Sequence, residues 1–332
     1  MTTVISRRSP IVAMFAVLGL VLGACASGPS QVNAAVVIGD KTITVDQVQD
    51  LVAKAVQVEP AAKVLAEQRK LDLLSREILR RLIEHELITH YAAKNGISID
   101  PGQVSAGAKE LNETYKQLPT DGSVEPTAVV KQAAQRALDP ELVAHDILLM
   151  TKVGAQQAPT LQVGYDFTFI APDPQNPQTG SLRAEALAKA KQLAESPAEA
   201  RRIIDADLAG GKQAAKDKTA VAQASQADAG SVLFGAPAGS VVTFQADPQS
   251  GAWVVVVIRT RDLNGKLPAN APQLTPELAA AVGERVLEPV VAELGVKISP
   301  RYGVWDEVAM AIAPSADQVT GAVLPFKNAT AP

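Results

Sequence analysis

Ile78-Leu79-Arg80-Arg81-Leu82-Ile83-Glu84-His85-Glu86-Leu87-Ile88 is the stretch that decides the fold class. Its apolar residues return every three or four positions, the mark of a helix with one buried face. The stripe extends back through Leu74, Leu71, Leu65 and Val64 and forward to Tyr91, and Asn95-Gly96 supplies a left-handed C-terminal stop. Pro60 suits the first turn. One helix from about 60 to 95 would be ~50 Å long at 1.5 Å per residue, enough to span a domain.

Working outward, Val45, Val48, Leu51, Val52 and Val56 predict a preceding helix, opened by a Thr44/Gln47 capping box. Before it, Ala34 to Ile38, Gly39-Asp40 and Lys41 to Ile43 predict a β-hairpin. Downstream, Asp100-Pro101, Glu125-Pro126 and Asp139-Pro140 each pair a capping residue with proline at the first helical position. They predict helices reaching about Leu118, Leu138 and Val153.

The chain has 332 residues, length enough for two domains, and ordinary globular proportions of 47% hydrophobic and 20% charged residues. Met1 to Ala24 is read as a removable address. Arg7 and Arg8 precede an apolar core from Ile11 to Leu22, too short for the ~20 residues of a membrane-spanning helix. Leu22-Gly23-Ala24-Cys25 then resembles the lipobox of bacterial lipoproteins. That resemblance implies acylation of Cys25, the only cysteine in the chain. It makes residues 1–24 a signal peptide and 25–33 a tether, and it places the protein lipid-anchored on the extracytoplasmic face of the bacterial cell membrane.

Lys and Arg number 31 against 35 Asp and Glu. Removal of residues 1–24 leaves 29 against 35, a net of −6. No basic run offers phosphate contacts, so nucleic acid is not an expected partner. No phosphate-binding loop appears, so no nucleotide is expected either. Three histidines and one cysteine leave little for a metal. His85 and His90 are spaced i, i+5 around Glu86, about 140° apart on a helix, so they cannot share one zinc as the i, i+4 histidines of HExxH do. His145-Asp146 lies in another helix, where adjacent residues face apart. Glu84 with Glu86, and Asp205 with Asp207, read as solvated helix faces. No serine sits in a GxSxG elbow. The sequence therefore presents no catalytic residues, no metal ligands and no cofactor site.

In the second half, Gln156 to Thr160 is read as a polar linker. Val163 to Ile170, with Tyr165, Phe167 and Phe169 at period two, predicts a half-buried strand. Arg183 to Glu195 and Pro197 to Leu208 predict helices, and Gly210 to Gly230 a mobile loop. Ser231 to Phe234, Val241 to Phe244 and Ala252 to Arg261 predict strands, the last apolar on both faces and therefore central. Thr275-Pro276 opens a helix to about Leu294, its rhythm interrupted at Pro289. Lys297 to Asp306 follows as strand and turn, Val304 to Ala311 is a further strand or short helix, and Asp317 onward is expected to fray.

Two family resemblances organise these elements. The order of Ile78 to Ile88, then Ala92-Ala93-Lys94-Asn95-Gly96-Ile97-Ser98-Ile99-Asp100, resembles the N-terminal chaperone domain of the SurA/PrsA family, as does Val36 to Thr44. The order strand, helix, helix, strand, strand resembles the parvulin prolyl isomerase domain. Phe234-Gly235-Ala236-Pro237-Ala238-Gly239-Ser240-Val241 is similar to its "F-x-L-x-x-G-x-h", and Gly251-Ala252-Trp253-Val254-Val255 to its "G-x-H-I-h". The family's two histidines fall at Thr168 and Trp253, so isomerase chemistry is not expected.

The resemblance implies an α+β protein. A mainly helical domain (34–155) would be followed by a degenerate parvulin-like domain (160–265), with a C-terminal helix and strand (272–312) completing the first domain and a flexible tail (313–332). In particular, Val296 to Ile298 should pair with the hairpin. The implied function is an ATP-independent holdase that binds unfolded or exported polypeptides through apolar helical surfaces. The alternatives are an active parvulin-type isomerase, or an accessory lipoprotein serving one defined envelope partner.

Overall fold

Alternating burial and a tight turn form the first element pair. In the computed structural model, which describes residues 33–172, 181–245 and 251–328, β1 (Ala34–Ile38) and β2 (Lys41–Thr44) make an antiparallel hairpin. Gly39 turns it with φ of 55°. β7 (Val296–Ile298) returns from the far end of the chain and pairs with β1, Val36 opposite Ile298 and Ile38 opposite Val296. The predicted signal peptide, Cys25 and almost all of the tether lie outside the described residues.

Helices follow their start signals. Thr44 accepts from the Gln47 amide at 3.2 Å to open α1 (Val45–Val58). Asp100 and Asp139 cap α4 (Pro101–Thr114) and α6 (Pro140–Gln157) in the same way. α5 (Pro126–Ala137) starts at Pro126 without a side-chain cap. The expected single helix from 60 to 95 is two, α2 (Pro60–Glu67) and α3 (Leu71–Lys94), the latter ~36 Å long. Arg69 takes a φ of 58° between them, and the Lys70 amide closes back on the Leu65 carbonyl at 2.8 Å. The cause is in the stripe: Leu65 to Leu71 is a step of six, and the intervening Gln68-Arg69-Lys70 gives neither helix an apolar position to bury. α2 then joins a separate small core, Ala61 and Leu65 against Val129 and Val130.

The second unit is a five-stranded antiparallel sheet, ordered β10-β5-β6-β3-β4. β6 (Trp253–Asp262) is central, as its two apolar faces require. β3 (Gln162–Ile170) and β5 (Ser240–Phe244) flank it. α7 (Leu182–Leu193) and α8 (Pro197–Ala209) cover one face, burying Ile170, Trp253, Val255 and Val257. The other face carries Tyr165, Phe167 and Phe169 and joins the main core.

Several expectations on this unit are corrected. The predicted mobile loop contains β4 (Ala214–Val221), an edge strand paired with β3. Its exposed Asp217 and Lys218 are the charges that keep an edge from pairing further. Ser231 to Phe234 is no strand: Val232–Gly235 forms a single helical turn, α9, with all four residues buried. Four apolar residues are too few for periodicity to separate strand from helix. The segment expected to fray holds β10 (Gly321–Pro325), hydrogen-bonded along β5. The supposed polar linker is bolted down. Ala158 and Leu161 are buried, and their carbonyls accept from the Gln223 and Ala222 amides.

The chain then returns to the helical layer. α10 (Pro276–Val286) and α11 (Glu288–Leu294) break at Leu287, just before Pro289. β8 (Val304–Asp306) and β9 (Ala311–Ala313) form a last hairpin. α10 crosses α6 at backbone contact: a Cβ on Gly154 would lie 1.6 Å from the Ala279 carbonyl oxygen, and one on Gly283 2.1 Å from that of Met150. The chain is an α+β protein.

Candidate functional site

That close crossing leaves a cleft beside it. A cavity of about 610 Å³ opens where α3, α5, α6 and α10 meet the β8–β9 hairpin. α6 and α10 contribute an apolar wall of Leu142, Val143, Ile147, Met150, Ala280 and Ala281. α3 contributes the opposite wall, and it is charged. Glu77, Arg80, Arg81 and Glu84 stand at i, i+3, i+4 and i+7, hence on one face. Arg80 donates to both oxygens of Glu77, Nε to Oε2 at 2.9 Å and Nη2 to Oε1 at 2.8 Å, and it also donates to Glu84. Arg81 Nε donates to Glu77 at 3.0 Å. From α10, Glu284 faces this group with Arg80 Nη1 3.9 Å away.

Burial sets the electrostatics. Desolvation pushes the Glu77 carboxyl up, but hydrogen bonds and charge from Arg80 and Arg81 outweigh it and hold the group below the ordinary carboxylate range. At Glu84 burial wins. The carboxyl is pushed up to about 7 against the pull of Arg80 and Arg81, with Glu284 and Glu77 adding repulsion. Arg80 stays cationic, because its carboxylate partners outweigh the cost of its own burial.

The histidines separate as their spacing requires. His85 Nδ1 meets Asp146 of α6 at 2.9 Å, and that hydrogen bond raises the imidazole above its usual value. His90 instead turns toward Glu293 of α11, 3.6 Å away. His145 Nδ1 also reaches Asp146, at 3.4 Å. Among the described residues no group of three His, Cys, Asp or Glu could hold a metal ion.

Two sequence readings need correction. Glu84 is not solvated; it is buried in the charged wall of the cleft, while Glu86 is half-buried. Asp207 is also buried, between Lys189 and Lys212. Burial pushes its carboxyl up, but the hydrogen bond from Lys189 and the nearby Lys212 hold it low. Asp205 is exposed, as expected, and pairs with Lys216. Thr168 and Trp253 both lie beneath α7 and α8, and neither lines the cleft. The charged wall was missed by sequence reasoning. Its signal was the spacing of Glu77, Arg80, Arg81 and Glu84, four charges on one face of the helix.

No protein-family model matches the chain, and no curated protein matches its sequence.

Proposed function

We propose that the protein is an ATP-independent extracytoplasmic chaperone of SurA/PrsA-like architecture, held at the membrane by acylation of Cys25. It captures extended segments of unfolded or exported polypeptides in the cleft between α3, α5, α6 and α10. The observation that carries this reading is the cleft itself, with an apolar wall long enough for several side chains. Each buried apolar side chain contributes about 1.5–3 kcal/mol before ordering costs, so a few shallow contacts give reversible capture without a nucleotide. The pairing of β7 with β1 supports the architecture. Burial of Thr168 and Trp253 under α7 and α8 supports binding over prolyl isomerisation.

One observation favours the second reading, service to a single defined partner. Among the described residues the exposed large apolar side chains are few: Ile147, Leu208, Leu263 and Leu267, of which Ile147 lines the cleft. A narrow apolar site suits one recurring segment as well as many.

The test is light scattering of an aggregating unfolded client with the full chain at substoichiometric and equimolar amounts, alongside a prolyl isomerisation assay. Suppression without isomerisation, weakened by Ile147→Asp, is the expected result. Isomerase activity overturns the non-enzymatic reading. Absence of suppression across several unrelated clients overturns the holdase and moves the single-partner reading forward.

A further inference from the structure

We propose that the cleft selects segments in which one lysine or arginine is flanked by apolar residues, an inference that rests on polypeptide capture in this cleft. Four carboxylates line it (Glu77, Glu84, Asp146 and Glu284) against Arg80, Arg81 and Lys131. The guanidinium of Arg80 is committed, donating to Glu77 twice and to Glu84 once, and Arg81 donates to Glu77. Arg80 therefore holds no open fork for an acidic guest, Arg81 turns Nη1 toward Glu84, 3.8 Å away, and Lys131 stands exposed on α5. Asp146 is shared with His85.

Glu284 differs. Among the described residues it makes no side-chain hydrogen bond, its nearest cation is Arg80 at 3.9 Å, and its side chain is 31% exposed. It faces Glu84 across Arg80, and of the four carboxylates lining the cleft it is the one without a hydrogen-bond donor among the described residues. The same cleft is lined by Ile147 and Met150 of α6 and by Ala280 and Ala281 of α10, the helix that carries Glu284. An aliphatic lysine or arginine stem can lie along Ile147 and Met150 while its head meets Glu284. The neighbouring apolar residues of the segment then fill the same wall.

The test measures binding of three labelled nine-residue peptides to the full chain in nanodiscs of uncharged lipid, by fluorescence anisotropy. One peptide is built of Ala, Val and Leu, one has a central Lys, and one a central Glu. The Lys peptide should bind about fivefold tighter than the neutral one, the worth of one partly shielded ion pair, and the gap should close with added salt. Glu284→Gln should shrink the preference below about twofold, and Glu284→Lys should reverse it toward the Glu peptide. Equal binding of the neutral and Lys peptides, or a preference untouched by Glu284→Gln, overturns the inference and leaves capture standing. Failure of all three peptides to bind removes the capture reading, and this inference with it.

Discussion

Replacement of Glu288 by glutamine should make the protein more stable, and the gain should grow with pH. Glu288 opens α11 and is buried where three distant parts of the chain meet. A Cβ added to Gly235 of α9 would lie 1.8 Å from Glu288 Oε2, so the carboxylate fills the space that glycine leaves. Oε2 is 3.5 Å from Arg285 Nη1, but Arg285 is engaged with the carbonyls of Gly230 at 2.7 Å and Val308 at 2.9 Å. Arg261 Nε donates to the Phe234 carbonyl at 3.0 Å. Burial therefore dominates. It pushes the Glu288 carboxyl up to about 8, with Arg285 pulling down, Glu307 adding repulsion and Arg261 a weaker attraction.

The sign follows from linkage. Below the ordinary value of 4.5 the group is protonated in both the folded and the unfolded chain, and burial carries no ionisation cost. Between there and about 8 folding must take up a proton, so stability falls as pH rises; above about 8 the full cost applies. At about 1.4 kcal/mol per unit, the interval of roughly 3.5 units is worth at most about 5 kcal/mol, and on the order of 3 kcal/mol with partial solvation of the ionised form. Glutamine keeps the shape and the contact with Gly235 without the charge. Urea unfolding of both proteins between pH 4.5 and 8.5 should give a stability difference that rises by about 3 kcal/mol in favour of the variant. Glu84 also titrates in this range, but it is present in both proteins and cancels in the difference. A stability difference that stays flat with pH would refute the reasoning.

Three further outcomes can be checked on the same unfolding assay. Gly154→Ala forces a methyl into the Ala279 carbonyl and should cost about 2–3 kcal/mol; an unchanged midpoint would mean the α6–α10 crossing is not held at backbone contact. Glu59 is fully buried and accepts from Gln132 at 2.6 Å and Arg136 at 3.0 Å, so Glu59→Ala should cost about 3 kcal/mol by stranding those donors. Truncation after Ser315 removes β10 and its half-buried Leu324 and Phe326, and should cost about 3 kcal/mol and hasten proteolysis of the sheet. Full stability of the truncated chain would return residues 316–332 to the role of a loose tail.

Helix starts were legible because their signals are local. Thr44, Asp100, Asp139 and Thr275 cap as their sequences suggest, and proline stands at the first position after Asp100, Asp139 and Thr275. The central place of β6 was legible because six successive apolar residues admit no solvent face. β4 and β10 were not, since an edge strand needs only half its residues apolar and carries charge to stay unpaired. The helix break at Arg69 was written in the six-residue step from Leu65 to Leu71, a lapse easily lost in the stripe on either side of it. The spacing of the charged wall of α3 was legible, but its burial was not, for a different reason. Whether Glu84 is solvated depends on Glu284, two hundred residues away, and no local pattern reports that.

The carboxylates of this protein differ in how far the fold satisfies them, and the difference bears on the cleft. Glu59 ties α2 to α5 through Gln132 and Arg136. Asp166 accepts from the Asp217 amide at 2.7 Å and from Arg259 at 3.0 Å, tying β3 to β4 and β6. Asp306 accepts from the amides of Val308, Ala309 and Thr320, holding the β8–β9 turn to the approach of β10. Each is saturated by donors from its own fold, and each sits where segments distant in sequence meet; their chemistry is used up in structure. The carboxylates around Arg80 are not used up in this way. Two of them compete for one guanidinium, and a third, Glu284, stands beside it without a hydrogen bond. A fold that saturates Glu59, Asp166 and Asp306 but leaves Glu284 without a donor, beside apolar side chains fixed by a glycine-to-backbone helix crossing, has kept one carboxylate of the cleft open to a guest. In the proposed capture, a guest with a positive charge and apolar neighbours would meet both Glu284 and those apolar side chains, and that is what selectivity means physically here.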